Sequence, residues 1–372
     1  MRRARWSCAA LLLPLLSLGG CNLGPTPTPN AVDPKTYRDC AAVDGRALWA
    51  EAQSALQHGG EAQPRVLELL RRCIERCPDL VPAHIAYQDT ALSLGGEHER
   101  AMVDYYAELA DRDSPVPAYM RARLAETAYD QANALDSILA EHPGFAWAFL
   151  SRARVHRGQG RLAEALEDYD QARVEDRQLY AAVLERAQVL VELGRYEEGA
   201  DGYRSYLERR PGDLQASREY VALLLYRLGR VPEARERIRA LRAAGDDSVA
   251  LRMDSAAASW RGGRPQAAID EYYDVLTAPA DVAGDDAARA ALNIGLLYYE
   301  VLANDDATRR RFWPRARVAF RWFLEHSQPG DGHEQFEHTF GVPYRLRRID
   351  EVLGEAPPAD GEPDLTQLRW SD

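Results

Sequence analysis

Along residues 160–172, GRLAEALEDYDQA, the apolar side chains fall at Leu162, Ala165, Leu166, Tyr169 and Ala172, with polar or charged residues between them. Steps of three and four put these five residues on one stripe of an α-helix and leave the opposite face to water. A second stripe precedes it in AWAFLSRARVHRGQ, where Trp147, Leu150, Ala153 and Arg154 share a face, and Gly158 or Gly160 breaks the two apart. The pattern predicts a helix, a short glycine-containing turn and a second helix.

Similar text returns as GRYEEGADGYRSY from Gly194, GRVPEARERIRAL from Gly229 and GRPQAAIDEYYDV from Gly263, and stands earlier as GEHERAMVDYYAE from Gly96. Gly160, Gly194, Gly229 and Gly263 are 34, 35 and 34 residues apart. One helical hairpin cannot cover its own apolar face, so a fixed period of this size predicts a stacked array. Weaker units occupy residues 45–78, 82–113 and 115–143, the last ending at Pro143. Residues 286–327 make an eighth pair, with Gly295 and Tyr298 on its first helix and Ala316, Phe320 and Phe323 on its second. Its connection, LANDDATRRRFWP, reads as about ten residues too long, with Pro314 expected in the first turn of the second helix. PYRLRRIDEVLGE predicts a closing helix, and EAPPADGEPD an acidic, proline-rich tail expected to be mobile. The expected fold class is therefore all-α, an α-solenoid of about eight antiparallel helix pairs over residues 45–354, with a tail at 355–372.

These residues resemble the tetratricopeptide repeat family, strongly from 144 to 277 and more weakly over 45–327. In the fourth unit, Phe149, Ala153, Gly160, Ala165, Tyr169 and Ala172 match the family pattern, with Arg177 where proline is expected. The fifth unit ends at Pro211 but has Gly199 and Tyr206 at the two alanine positions. The resemblance implies a superhelix whose concave face is lined by the first helix of each pair and binds a partner there. Counted back from the turn glycines, the family's groove positions fall on Trp147, Leu150, Arg154, Gln188, Glu192, Glu219, Tyr226, Arg227, Trp260 and Arg261. Aromatic and arginine side chains commonly anchor interfaces, although Trp147 and Trp260 would equally serve to plug gaps between helices. The lysine and asparagine clamp of chaperone-binding members is not present at these positions.

The N-terminus carries a different signal. MRRARW has Arg2, Arg3 and Arg5, and CAALLLPLLSL follows as an apolar run of about 11 residues, where spanning a bilayer takes about 20. This is the n-region and h-region of a signal peptide, residues 1–20. Leu18-Gly19-Gly20-Cys21 resembles the lipobox of bacterial lipoproteins, which implies lipidation at Cys21; the alternative is an ordinary cleaved signal with an incidental cysteine. Acyl chains contribute about 0.8 kcal/mol per buried methylene and so anchor a protein without embedding it. Asn22, where some lipoproteins have aspartate, implies by resemblance the periplasmic face of the outer membrane. GPTPTPN, residues 24–30, is an extended spacer within a linker at 21–44.

Charge and cysteines narrow the classes. The net charge of −12 argues against nucleic acid, whose phosphates require clustered cations. Losing three arginines with the signal takes it to about −15, so attachment to anionic lipid falls to the acyl group. With Cys8 removed and Cys21 lipidated, Cys40, Cys73 and Cys77 remain; the i, i+4 pair is poorly placed for a mutual bond, and Cys40 is free to pair with either. No zinc site, Walker loop, dinucleotide turn or GxSxG elbow is expected, and HEQFEH, residues 333–338, has the wrong spacing for a zincin helix. The run Arg309-Arg310-Arg311-Phe312-Trp313 would grip an acidic partner segment or a glycan, or else form a solvated loop whose aromatics dock on the last repeats. The combined expectation is a lipid-anchored, non-enzymatic scaffold of the bacterial envelope that binds a protein or peptide and uses no cofactor. The alternative is a glycan- or substrate-capture lipoprotein with Trp147, Tyr226 and Trp260 as sugar platforms.

Overall fold

The computed structural model describes residues 40, 43–58, 64–109, 113–279, 284–327, 341–354 and 364–370. The signal peptide, Cys21, the Thr/Pro spacer and HEQFEH lie outside the described residues. Among the described residues every regular element is helical, and no helix is long and apolar enough to cross a membrane. They divide into two compact units at the junction of Arg195 and Tyr196.

The first unit contains α1 (Val43–His58), α2 (Pro64–Arg76), α3 (Val81–Leu94), α4 (Gly96–Glu108), α5 (Pro115–Ala122), α6 (Ala128–Glu141), α7 (Ala146–Gly158), α8 (Leu162–Glu175) and α9 (Tyr180–Glu192). Successive helices pack on one another, and the crossings are built from alanines: Ala148, Ala153, Ala165, Ala172 and Ala182 are fully buried. Small residues let the backbones approach, and Leu150 and Tyr169 fill what remains, each large side chain stabilising the stack by about 2 kcal/mol. Ser114 and Thr127 start α5 and α6 by accepting hydrogen bonds from the N–H groups of Val116 and Asp130.

Two cysteines staple this unit. Cys40 bonds to Cys77, with their Cα atoms 4.9 Å apart, while Cys73 stays a free, buried thiol that donates to the Gly45 carbonyl. Cys77 lies just past the end of α2, within reach of Cys40, whereas Cys73 faces the core, where burial pushes its thiol up to about 12. Gly45 sits against the bridge so closely that a Cβ there would lie 2.1 Å from the Cys77 sulfur.

The second unit contains α10 (Tyr196–Arg209), α11 (Leu214–Ala222, continued as a π-helical segment Leu223–Leu228), α12 (Val231–Ala243), α13 (Val249–Arg261), α14 (Pro265–Leu276), α15 (Asp285–Leu296, continued as π-helix Leu297–Val301), α16 (Asp306–His326) and α17 (Val342–Leu353). Tyr272, Tyr298 and Phe320 are its large buried side chains.

The repeated Gly-Arg text closes each first helix in the same way. Gly160, Gly194, Gly229 and Gly263 all have left-handed φ, between 65° and 75°. This turns the chain so that the following arginine N–H reaches back to a helix carbonyl: Arg161 to His156, Arg195 to Leu190 and Arg264 to Ser259, at 2.8–2.9 Å. Arg230 reaches back one residue further, to Leu224, because the π-helical segment holds one extra residue. That residue accounts for the single 35-residue spacing among the 34s.

Two expectations are corrected here. The last hairpin has no overlong connection: α16 already begins at Asp306, and Pro314 is its ninth residue, not part of its first turn. A capping box sets that start, with the Asp305 carboxylate accepting from the Thr308 N–H at 2.8 Å and the Thr308 hydroxyl accepting from the Asp305 N–H at 2.9 Å. The run Arg309 to Trp313 is therefore helical, with Phe312 and Trp313 buried. Of EAPPADGEPD, residues 355–363 lie outside the described residues. Residues 364–370 dock on the last helices, where Leu368 is fully buried, its carbonyl accepts from the Tyr298 hydroxyl, and Trp370 stacks on Phe312.

Candidate protein-interaction faces

In the first unit, the residues expected to line a partner face belong largely to one polar network. Arg154 of α7 donates to both Glu185 oxygens on α9, at 2.8 and 2.6 Å, and the Tyr169 hydroxyl of α8 donates to the same carboxylate at 3.0 Å. Burial works against the Arg154 charge, but Glu185 outweighs it and raises the pKa. One turn on, Arg157 donates to Gln188 and to Glu192, at 3.0 Å each. Trp147 is half-buried against the cores on either side of α7, and Leu150 is wholly buried. Leu150 is thus a packing residue, and Glu192 carries the exposed end of the set.

In the second unit, the Glu219 carboxylate accepts from the Tyr203 hydroxyl at 2.8 Å and from Gln215 at 3.1 Å. The Tyr226 hydroxyl donates to Asp254 at 2.7 Å. Burial pushes the Asp254 carboxyl up to about 6, against the hydrogen bond from Tyr226, and the Asp286 charge adds to the rise. Arg261 lies over the Tyr226 ring and Arg227 over Tyr196, each about 5.6 Å from the ring centre. Arg227 and Arg261 are exposed, whereas Tyr226 and Trp260 are half-buried, and Trp260 packs against the core of this unit. Trp147 and Trp260 thus pack in part against the cores, and Arg261 lies over the Tyr226 ring.

One recurring feature was not anticipated. Ser151, Glu185, Glu219 and Asp254 occupy the same place in successive first helices, and each meets a tyrosine hydroxyl: Tyr119, Tyr169, Tyr203 and Tyr226 respectively. Tyr169 and Tyr203 stand 16 residues before their carboxylates, so the signal was present as a Tyr/Glu pair repeating with the array period. It ties each first helix to its neighbour through a partly buried polar group satisfied by a hydroxyl.

The match to known families falls on these helices. The family model described as tetratricopeptide repeat matches residues 150–214 and 222–283. Residues 150–214 and 222–283 carry tetratricopeptide repeats. With every described element helical and packed in hairpins, the fold class is an all-α solenoid of such repeats. No curated protein matches the sequence. Among solved structures, a chain of the APC/C hetero-tetramer Cut9-Hcn1 aligns at 14% identity and a TM-score of 0.47, over 83% of this chain and 57% of that one. Yeast Tom70 aligns at 10% identity and a TM-score of 0.39, over 83% and 60%. A tetratricopeptide repeat protein from Parabacteroides merdae aligns at 14% identity and a TM-score of 0.35, over 83% and 99%. This chain thus spans less than two thirds of the Cut9-Hcn1 and Tom70 chains that it matches.

Proposed function

We propose that this protein is a lipid-anchored, non-enzymatic scaffold of the bacterial cell envelope whose tetratricopeptide repeats hold a partner protein or peptide. The observation that carries the interaction reading is the repeat array itself, because its first helices present Glu192, Arg227 and Arg261 to solvent beside a rigid, hydrogen-bonded support. Interfaces draw on such arginines and on the half-buried aromatics next to them. Anchoring is supported by the lipobox-like LGGC ending at Cys21, and export by the Cys40–Cys77 disulfide, a bond type that persists in oxidising compartments. Repeat proteins of this kind act as interaction modules, which favours binding over catalysis. Co-purification with the wild-type chain and with an Arg227→Glu/Arg261→Glu variant tests the interaction, the expected result being loss of a defined partner from the variant. Membrane fractionation of a Cys21→Ala variant tests the anchor, and retention of that variant in the membrane fraction would remove it from the account.

A further inference from the structure

The last two helices reverse the character of the chain. In a protein of net charge −12, α16 has six arginines against two carboxylates, and α17 has three against two. α17 also carries two apolar stripes. Val342 and Ile349 face the core, while Tyr344 and Val352 stand out, 61% and 46% exposed. Tyr344, Arg348 and Val352 are spaced four apart, so they share one helical face.

That second stripe borders a concavity of about 350 Å³ lined by Tyr299, Arg309, Trp313, Tyr344, Arg348 and Val352. Tyr299 and Trp313 line it, stacked 5.0 Å apart and nearly parallel, with Arg345 also over the Tyr299 ring, and the Trp313 indole N–H donates to the Tyr299 carbonyl at 3.3 Å. Arg309 lies over the Trp313 ring. Among the described residues, the ion pairs of both flanking arginines are to carboxylates three residues away on their own helices, Arg309 to Asp306 at 3.0 Å and Arg348 to Glu351 at 2.8 Å. Such exposed pairs are weak and exchange readily for an incoming carboxylate.

We infer that this concavity is a second docking site, apart from the faces that carry Glu192, Arg227 and Arg261, for an acidic segment of a partner polypeptide that inserts a large apolar or aromatic side chain. The size fits one or two side chains rather than a folded surface. Tyr344 and Val352, the exposed apolar part of the lining, take the ring or aliphatic group beside Tyr299 and Trp313, and Arg309 and Arg348 meet the flanking carboxylates in the planar geometry that arginine favours. A long polyanion such as a nucleic acid is opposed by the acidic remainder of the chain. A bilayer surface is flat where this site is hollow.

The test is selection of short random peptides from a display library on the full chain in detergent, run in parallel on an Arg309→Glu/Arg348→Glu variant. The expected result is enrichment of peptides with aspartate or glutamate around an aromatic or aliphatic residue. Their affinity should fall by about tenfold or more in the double variant and in Tyr344→Ser, and stay unchanged in Arg227→Glu/Arg261→Glu. That last comparison separates this site from the face that carries Arg227 and Arg261. Selected peptides without acidic residues, or binding that survives the double variant, would overturn the inference. So would a dimer seen by sedimentation that the double variant abolishes, which would make the occupant a second copy, or neutral oligosaccharides that displace the peptides.

Discussion

Asp254 is the residue whose chemistry is least comfortable. Its carboxyl is buried with a tyrosine hydroxyl for company, and its folded value of about 6 lies above the unfolded value of about 4. Between these values the folded chain binds more protons than the unfolded chain, so this contribution is full below about 4 and is lost as pH rises through 6. Asp254→Asn keeps an acceptor for Tyr226 and removes the charge. It is expected to stabilise the second unit by about 2 kcal/mol at neutral pH and by almost nothing near pH 4, read from urea denaturation at both values. A gain that did not depend on pH would mean that the charge is not what costs stability. At the turns, the Gly194 Cβ direction meets nothing within 4 Å, so Gly194→Ala isolates the left-handed backbone and should cost about 1 kcal/mol, with Gly194→Asn closer to wild type.

Among the elements, the helices and their pairing were legible because the apolar stripes repeat with the glycines, which alone define where each first helix ends. What escaped the reading has physical causes. Pro314 looked like a helix start, but the Asp305/Thr308 capping box begins nine residues upstream and provides a better one. The extra residue was visible as the spacing of 35, yet its placement in the π-helical segment of α11 depends on hydrogen bonding that no letter records. Three of the expected partner residues have partners inside the fold. Leu150 packs in the core, and Arg154 and Glu219 are spent on Glu185 and Tyr203, since a stripe position does not reveal what a neighbouring hairpin brings to it. The chain end was masked by its acidic, proline-rich lead-in, although Leu368 and Trp370 are the apolar residues that dock. Leu368→Ala should therefore lower the stability of the second unit by about 2–3 kcal/mol, measured by thermal or urea unfolding.

For the whole molecule, the disulfide is the feature that ties the fold to the oxidising compartment proposed for it. The Cys40–Cys77 bridge closes a loop of 37 residues in sequence, and Cys40→Ser is expected to cost the first unit about 4 kcal/mol, appearing as a drop in its unfolding midpoint that reducing agent reproduces in the wild type. An unchanged midpoint would show that the bridge does not form in the native protein. The central claim is that the exposed first-helix residues meet a partner in the envelope. Photo-reactive residues placed at Glu192, Arg227 and Arg261 of the native chain, followed by mass spectrometry of the crosslinked products, test it most directly. The expected result is an envelope protein at Glu192 in the first unit and one and the same envelope protein at Arg227 and Arg261 in the second; crosslinks to no protein, or to unrelated proteins at Arg227 and Arg261, would contradict it.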